Sequence, residues 1–177
     1  FAQSYDRDYN WLTPYQNNSD SISIAHDPVH NRVFMCGMGT QMQEKWPSFT
    51  NLDATSFATF GNKIDVDGEI LTSIPDGQGG YYIAGKFTKV NGQKRTYLAQ
   101  INANNQLPSY NPTITYFVPP NAAIYSLHIA NNKLFIGGGI STVNGQTRQN
   151  LAAFDLPSGN LLSWAPNPNN VVNSIES

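Results

Sequence analysis

The 177-residue sequence holds a single cysteine, Cys36, so no disulfide can form within it. That fits either a reducing compartment or a secreted class that does without bridges. Charge is scarce as well: Asp, Glu, Lys and Arg make up 12% of the chain, about half the usual quarter. Ten basic and twelve acidic residues leave a net charge of -2. No cationic field is available to hold a phosphate backbone, which argues against nucleic acid or an anionic membrane surface as the main partner. Apolar runs long enough to span a bilayer are missing, so membrane insertion is not expected. A sustained 3.6-residue apolar period is missing too, which predicts almost no helix. What fills the gap is neutral polarity. About one residue in eight is Asn, beside 14 Gly and 11 Pro, a composition that favours strands and turns. With 40% hydrophobic and 12% aromatic residues, the chain is a folding sequence long enough for a core of its own.

The chain repeats itself. Residues Gly85 to Ala99 align with Gly138 to Ala152 at a constant spacing of 53, and eight of the fifteen positions are identical, Val90-Asn91-Gly92-Gln93 and Val143-Asn144-Gly145-Gln146 among them. At the same spacing Ser73-Ile74 pairs with Ser126-Leu127, and Tyr81-Tyr82-Ile83-Ala84 with Leu134-Phe135-Ile136-Gly137. A more worn copy starts at Ser23-Ile24 and Val33-Phe34-Met35-Cys36-Gly37, without the Val-Asn-Gly turn. An aromatic shortly before a Pro marks each unit, as Trp11 with Pro14, Tyr110 with Pro112 and Trp164 with Pro166, and Phe60 fills the remaining slot without its Pro. The repeat therefore divides the chain into about three units, near 11–60, 61–110 and 111–164.

Each unit reads as four short strands: a Ser-Ile/Leu segment, an apolar run ending in Gly, a stretch such as Tyr97-Leu98-Ala99-Gln100-Ile101, and a last segment with the aromatic. Asp27-Pro28, Asp76-Gly77-Gln78-Gly79-Gly80 and Asn131-Asn132 supply the turns between the first two strands, because Gly and Asn tolerate positive φ. Asn91-Gly92 and Asn144-Gly145 are the same chemistry between the second and third. Continuous apolar runs imply sheets buried on both faces. The Gly ending the second strand would let backbones crowd, and Cys36, Ala84 and Gly137 before it share one register, where small size is the requirement. Four antiparallel strands repeated at about fifty residues predict an all-β fold, a β-propeller of four-stranded blades with about three blades in this chain. Three do not close a ring, and the chain ends at Val171-Val172-Asn173-Ser174-Ile175, which matches an opening strand. A longer polypeptide with further domains is therefore expected.

The run from Ile74 to Gly92, with Arg95 and Leu98-Ala99 following, resembles the delta-60 repeat propellers of secreted and surface-attached bacterial proteins. Leu134 to Leu151 is similar to them in the same way. The resemblance covers most of residues 61–177 and little of 11–60. It implies an extracellular propeller, often one module of a large surface protein, with no catalytic residues. The doublet Gly137-Gly138 resembles kelch blades, from which Ala84-Gly85 departs. The start at Phe1-Ala2-Gln3-Ser4 is compatible with the remainder of a cleaved secretory signal.

Single residues offer little chemistry. His26 and His30 have a ligand-like spacing that converges only on a helix, and Asp27-Pro28 between them marks a turn. Asp65-Val66-Asp67-Gly68-Glu69 resembles part of a calcium loop, but that register would place Lys63 and Ile74 at ligand positions, so it reads as a turn. Arg95 and Arg148 recur at one register and are expected to bond carbonyls within the repeat. Trp11, Tyr110 and Trp164 offer sugar-stacking faces, but their spacing follows the repeat and favours packing between blades. Cys36 has no His partner legible in the sequence, and Asn17-Asn18-Ser19 is a formal glycosylation sequon.

No residue is assigned as catalytic, metal-ligating or cofactor-binding, and the binding residues are undefined. The expected function is a non-catalytic binding or structural module, extracellular or at the cell surface, with a protein or glycan partner held by loops at one rim. The alternative is a propeller-fold enzyme acting on glycans, which requires two of Asp53, Asp65, Asp67, Asp76 and Asp155 to face each other in an open cleft.

Overall fold

The computed structural model describes residues 22–39, 46–56, 64–116 and 123–176, and all regular structure among them is β. The first sheet runs in chain order through β1 (Ile22–Asp27), β2 (Arg32–Gly39), β3 (Trp46–Asp53) and β4 (Ile64–Asp65). There follow β5 (Ile70–Pro75), β6 (Tyr81–Gly85), a short hairpin of β7 (Lys89–Val90) and β8 (Gln93–Lys94), and β9 (Leu98–Ile101), of which β5, β6 and β9 form the second sheet. The pattern recurs as β10 (Ile114–Thr115), β11 (Ile124–Ala130), β12 (Lys133–Gly138), the hairpin β13 (Thr142–Val143) and β14 (Gln146–Thr147), and β15 (Leu151–Asp155). Strands β11, β12 and β15 make the third sheet, while β10 pairs with β13. All these pairings are antiparallel. The opening strands lie side by side, β1 against β5 and β5 against β11, so the sheets stack in succession.

Alternation along the second sheet shows how the stack is held. Tyr81 and Ile83 of β6, with Ala99 and Ile101 of β9, join Ala25 and Phe34 of the first sheet in one buried cluster. Their neighbours Tyr82, Ala84 and Leu98 join Leu127, Leu134 and Ile136 of the third sheet in another. Successive side chains point to opposite faces, and here both faces are covered, which explains the uninterrupted Tyr-Tyr-Ile-Ala run. Burying a side chain such as Ile83 contributes about 1.5–3 kcal/mol. On the far side of the third sheet Phe135 meets Trp164 edge to face, with ring centroids 5.4 Å apart. A Cβ on Gly137 would there lie 2.7 Å from Val172 and 3.1 Å from Ile175.

The strand-ending glycines are required by close approach. A Cβ on Gly85 would run into the carbonyl oxygen of Glu69, and one on Gly138 into that of Ala123. The turns behave as their chemistry predicts: Asn91-Gly92 and Asn144-Gly145 hold φ of 48° and 73°, and 50° and 75°, the pair of positive values that a two-residue hairpin turn needs.

Two details differ from the sequence pattern. The segment carrying Tyr110 or Trp164 makes no continuous fourth strand; after β15 it touches the ladder at one bridge, Phe154 to Leu161. Prolines at 108, 112, 157 and 166 remove ladder donors there. The match of Ser73-Ile74 to Ser126-Leu127 is also one residue out of step. Ser73 pairs with Ile83 and Leu127 with the equivalent Ile136, so Ser73 and Leu127 correspond. The hairpin end absorbs the difference: five residues, 76–80, lie between the paired Pro75 and Tyr81, and four, 130–133, between the equivalent Ile129 and Leu134. A slip of one residue reverses the face, and Ile74 and Leu127 accordingly meet the same core from opposite sheets.

Candidate functional site

Antiparallel pairing sorts the loops onto two rims. One rim carries residues 28–31, 54–56, 76–80, 102–106, 131–132 and 156–160. The opposite rim carries the Asn-Gly hairpins and the segments that lead into β5 and β11.

On the first rim nearly every turn opens on an acidic or amide side chain that caps its own backbone. Asp27 Oδ1 accepts from the N–H groups of Val29 at 3.0 Å and His30 at 3.2 Å, and its Oδ2 lies 2.7 Å from His30 Nδ1. Asp76 Oδ1 accepts from Gln78 at 2.8 Å and Gly80 at 2.9 Å. After the third strands, Asp53 Oδ1 accepts from Thr55 and Ser56, Asn102 Oδ1 from Asn104 and Gln106, and Asp155 Oδ2 from Ser158. These are Asx turns, which stabilise the reversal by replacing a backbone acceptor. Burial opposes the charge on Asp27, but the hydrogen bonds from His30 and Val29 outweigh it and hold the carboxyl below its ordinary range. Bonds from Ser56 lower Asp53, and bonds from Ser158 lower Asp155.

Asp53, Asp76 and Asp155 sit in separate turns of the first rim, while Asp65 and Asp67 lie on the opposite one. Asp67 accepts from Thr88 N–H at 2.7 Å, Thr88 Oγ1 at 2.5 Å and Lys89 N–H at 2.8 Å, and these bonds overcome its desolvation to lower its pKa. No described hydrogen bond joins two of the five. Among the described residues no group of three His, Cys, Asp and Glu gathers to hold a metal ion, and no helix is long and apolar enough to cross a membrane.

Arg95 and Arg148 are only 7% and 6% exposed. Arg95 donates to the carbonyls of Lys94 at 2.9 Å and Pro108 at 2.8 Å, and Arg148 to those of Thr147 at 2.7 Å and Leu162 at 2.6 Å. Each ties its Asn-Gly hairpin to the segment before the unit's aromatic. That aromatic packs the same way twice: Tyr110 stands edge-on to Tyr82 at 6.2 Å, and Trp164 stands edge-on to the equivalent Phe135. Tyr110 also meets Phe154 at 5.7 Å, and Trp164 is 44% exposed. His26 is exposed. Cys36 lies in β2 opposite Ser23 and Phe49. Trp11 and Asn17-Asn18-Ser19 fall outside the described residues.

Sequence reasoning missed a cleft on the first rim, between the second and third sheets. It encloses about 290 Å³ and is lined by Tyr82, Gln100, Tyr110, Phe154, Asp155 and Ser158, with neighbouring loop residues. Burial, and then the nearby charge of Asp76, push the Tyr82 phenol up to about 12. Burial raises Tyr110 as well. The signal in the sequence was present but unassembled, because Gln100 and Asp155 are 55 residues apart.

The family model described as a domain of unknown function (DUF5122) beta-propeller matches residues 62–106, a span holding the second sheet, its hairpin and its first-rim turns. No curated protein matches the chain. With its stacked antiparallel sheets buried on both faces, the chain is an all-β protein of the β-propeller class.

Proposed function

We propose that this chain is a non-catalytic module of a secreted or cell-surface protein, made of blade-like units of the delta-60, kelch-like type and serving in binding or adhesion. The observation that carries the reading is the use of the carboxylates. Asp53, Asp76 and Asp155 each cap their own turn, so their role is to fix loop shape. A rim of fixed loops presents a constant surface, which suits recognition by shape and hydrogen bonding. The resemblance of residues 61–177 to bacterial surface propellers supports an extracellular place, with a protein or glycan as partner.

The experiment is a double one. The chain is incubated with a panel of labelled oligosaccharides while new reducing ends are followed, and antibodies locate the protein in fractions of its native cells. The expected result is no turnover and recovery from the surface or medium. Turnover on any glycan, or recovery from the cytoplasm alone, overturns the reading.

A further inference from the structure

Tyr97 stands in a backbone conformation that its side chain does not favour. Its φ is 66°, in the left-handed region, where a bulky residue is an outlier. The equivalent Asn150 has φ of 60° and is a residue type that accepts it. Backbone geometry therefore does not account for a tyrosine at 97, and strain of this kind directs attention to what the side chain does. Its ring stands edge to face with that of Tyr116, with centroids 5.4 Å apart and planes at 90°.

The two rings join separate stretches of chain. Tyr97 leads into β9, and Tyr116 follows β10 in the segment beyond Tyr110. In the third unit the same two stretches are tied by a hydrogen bond, from Asn150 Nδ2 to the Pro168 carbonyl at 3.0 Å. Two tyrosines in contact can supply a covalent form of that tie, because phenoxyl radicals couple at the ring carbons beside the hydroxyl. The chain has one cysteine and so no disulfide of its own to do the same. Access separates this pair from the other Tyr–Tyr contact among the described residues. Tyr82 and Tyr110 also meet edge-on, at 6.2 Å, but Tyr82 is 5% exposed and the Tyr110 hydroxyl is buried. Tyr116 is 37% exposed and Tyr97 is half-buried, so an oxidant in solution reaches the first and the second lies beside it. Burial, and then its hydrogen bond to the Tyr116 hydroxyl, push the Tyr97 phenol up to about 12. Tyr97 is therefore a neutral phenol at pH 7, and its oxidation releases a proton with the electron.

We propose that Tyr97 and Tyr116 form an oxidative modification site, at which hydrogen peroxide, acting through a haem peroxidase, joins the two rings as an intramolecular dityrosine. Each phenol loses one electron and its O–H proton. The two radicals form one C–C bond between ring carbons ortho to the hydroxyls, and the hydrogens on those carbons shift to the oxygens, restoring both phenols. Two electrons and two protons pass to one peroxide, which becomes two waters. Bonding requires Tyr116 to turn from its edge-on pose, which its exposed side permits. The product closes the chain from 97 to 116, a stretch that holds β9, the 102–106 turn and β10, and such a closed loop takes freedom from the unfolded chain.

The test treats the folded chain with hydrogen peroxide and a catalytic amount of haem peroxidase, then maps the digested monomer by mass spectrometry. The expected product is a linked pair of peptides carrying 97 and 116, two hydrogen atoms lighter than the separate peptides, with dityrosine fluorescence and a raised urea midpoint for the oxidised chain. Tyr116→Phe keeps the ring and removes the phenol, while Tyr97→Asn installs the residue that the third unit uses at this position. Both variants should retain the wild-type circular dichroism and lose the linked pair. Oxidation in denaturing urea should also lose it, since the fold places the rings. Oxidised wild type without a 97–116 link overturns the proposal, as does a link formed only between chains or an equal yield in urea. A Tyr97 link that persists in Tyr116→Phe identifies another partner and overturns it as well.

Discussion

Asn91 clamps Asp65 at both backbone groups: its Oδ1 accepts the Asp65 N–H at 2.8 Å, and its own N–H donates to the Asp65 carbonyl at 2.7 Å. Asn144 holds Thr113 in the same way, at 2.8 and 2.7 Å. The Val-Asn-Gly turn therefore does more than reverse the chain between the second and third strands. It folds back on the segment leading into its own sheet and closes the opposite rim. Asn serves here for two reasons, tolerance of positive φ and a side-chain oxygen.

Those two reasons can be separated by substitution. Asn144→Gly keeps the backbone conformation and loses the Oδ1 acceptor, at a cost of about 1 kcal/mol. Asn144→Ala loses the acceptor and adds a left-handed penalty of about 1–2 kcal/mol. Urea unfolding of the two variants should rank them wild type, Gly, Ala. Equal midpoints for Ala and Gly would remove the conformational half of the argument.

Arg148 binds the hairpin to the Trp164 segment through the Leu162 carbonyl. Its replacement by Ala leaves that carbonyl and the Thr147 carbonyl without their charged donor, and about 2–3 kcal/mol of stability should be lost. Arg148→Lys should recover little, since an ammonium cannot fork between the carbonyls at 2.6 and 2.7 Å and Gln146 Oε1 at 3.1 Å. Full rescue by Lys, read in the same unfolding curves, would show that charge alone suffices.

Gly138 and Gly145 test close approach against turn geometry. Ala at 138 places its Cβ against the Ala123 carbonyl and 2.8 Å from Ile124 Cα, backbone atoms that cannot step aside, so a loss of about 3 kcal/mol or failure to fold is expected. Ala at 145 meets nothing within 4 Å and is penalised only for φ of 75°, about 1 kcal/mol. Circular dichroism melting of the pair decides it, and a Gly138 variant melting above the Gly145 variant would contradict the packing described.

Much of this fold could be read from the chain because the features that set it are local. Asn-Gly at 91–92 and 144–145 announces its turn, and Gly85 and Gly138 mark crowded strand ends by their residue type alone. The face of Leu127 was not legible, since the offset of 53 hides the one residue by which 130–133 is shorter than the equivalent 76–80. Tyr97 at φ of 66° gives no sign of its left-handed backbone, although the equivalent Asn150, at 60°, is a residue that accepts it. The cleft was hidden for a related reason. Its lining comes from residues 82–110 of one unit and 154–159 of the next, which only the stacking of the second sheet on the third brings together.

Acid should unfold this protein through its turns. Asp27, Asp53, Asp67 and Asp155 all have folded-state pKa values below the ordinary one. A depressed carboxyl contributes stability that is fully present above its unfolded pKa, about 3.9, and that disappears as pH falls through the lower folded value. The melting temperature should therefore hold between about pH 7 and about pH 5 and then drop increasingly steeply below about pH 4. Asp27 is the sharpest single test, being 2% exposed and bonded to His30 and Val29. Asp27→Asn keeps an oxygen for the N–H groups of the turn, as Asn102 does after β9, but cannot titrate. Its melting temperature should be lower than wild type at pH 7, and the two curves should draw together as pH falls below about 4 and the native Asp27 takes up its proton. Parallel curves would show that Asp27 contributes nothing through its charge, and a gap that widens in acid would reverse the sign assigned to its pKa shift.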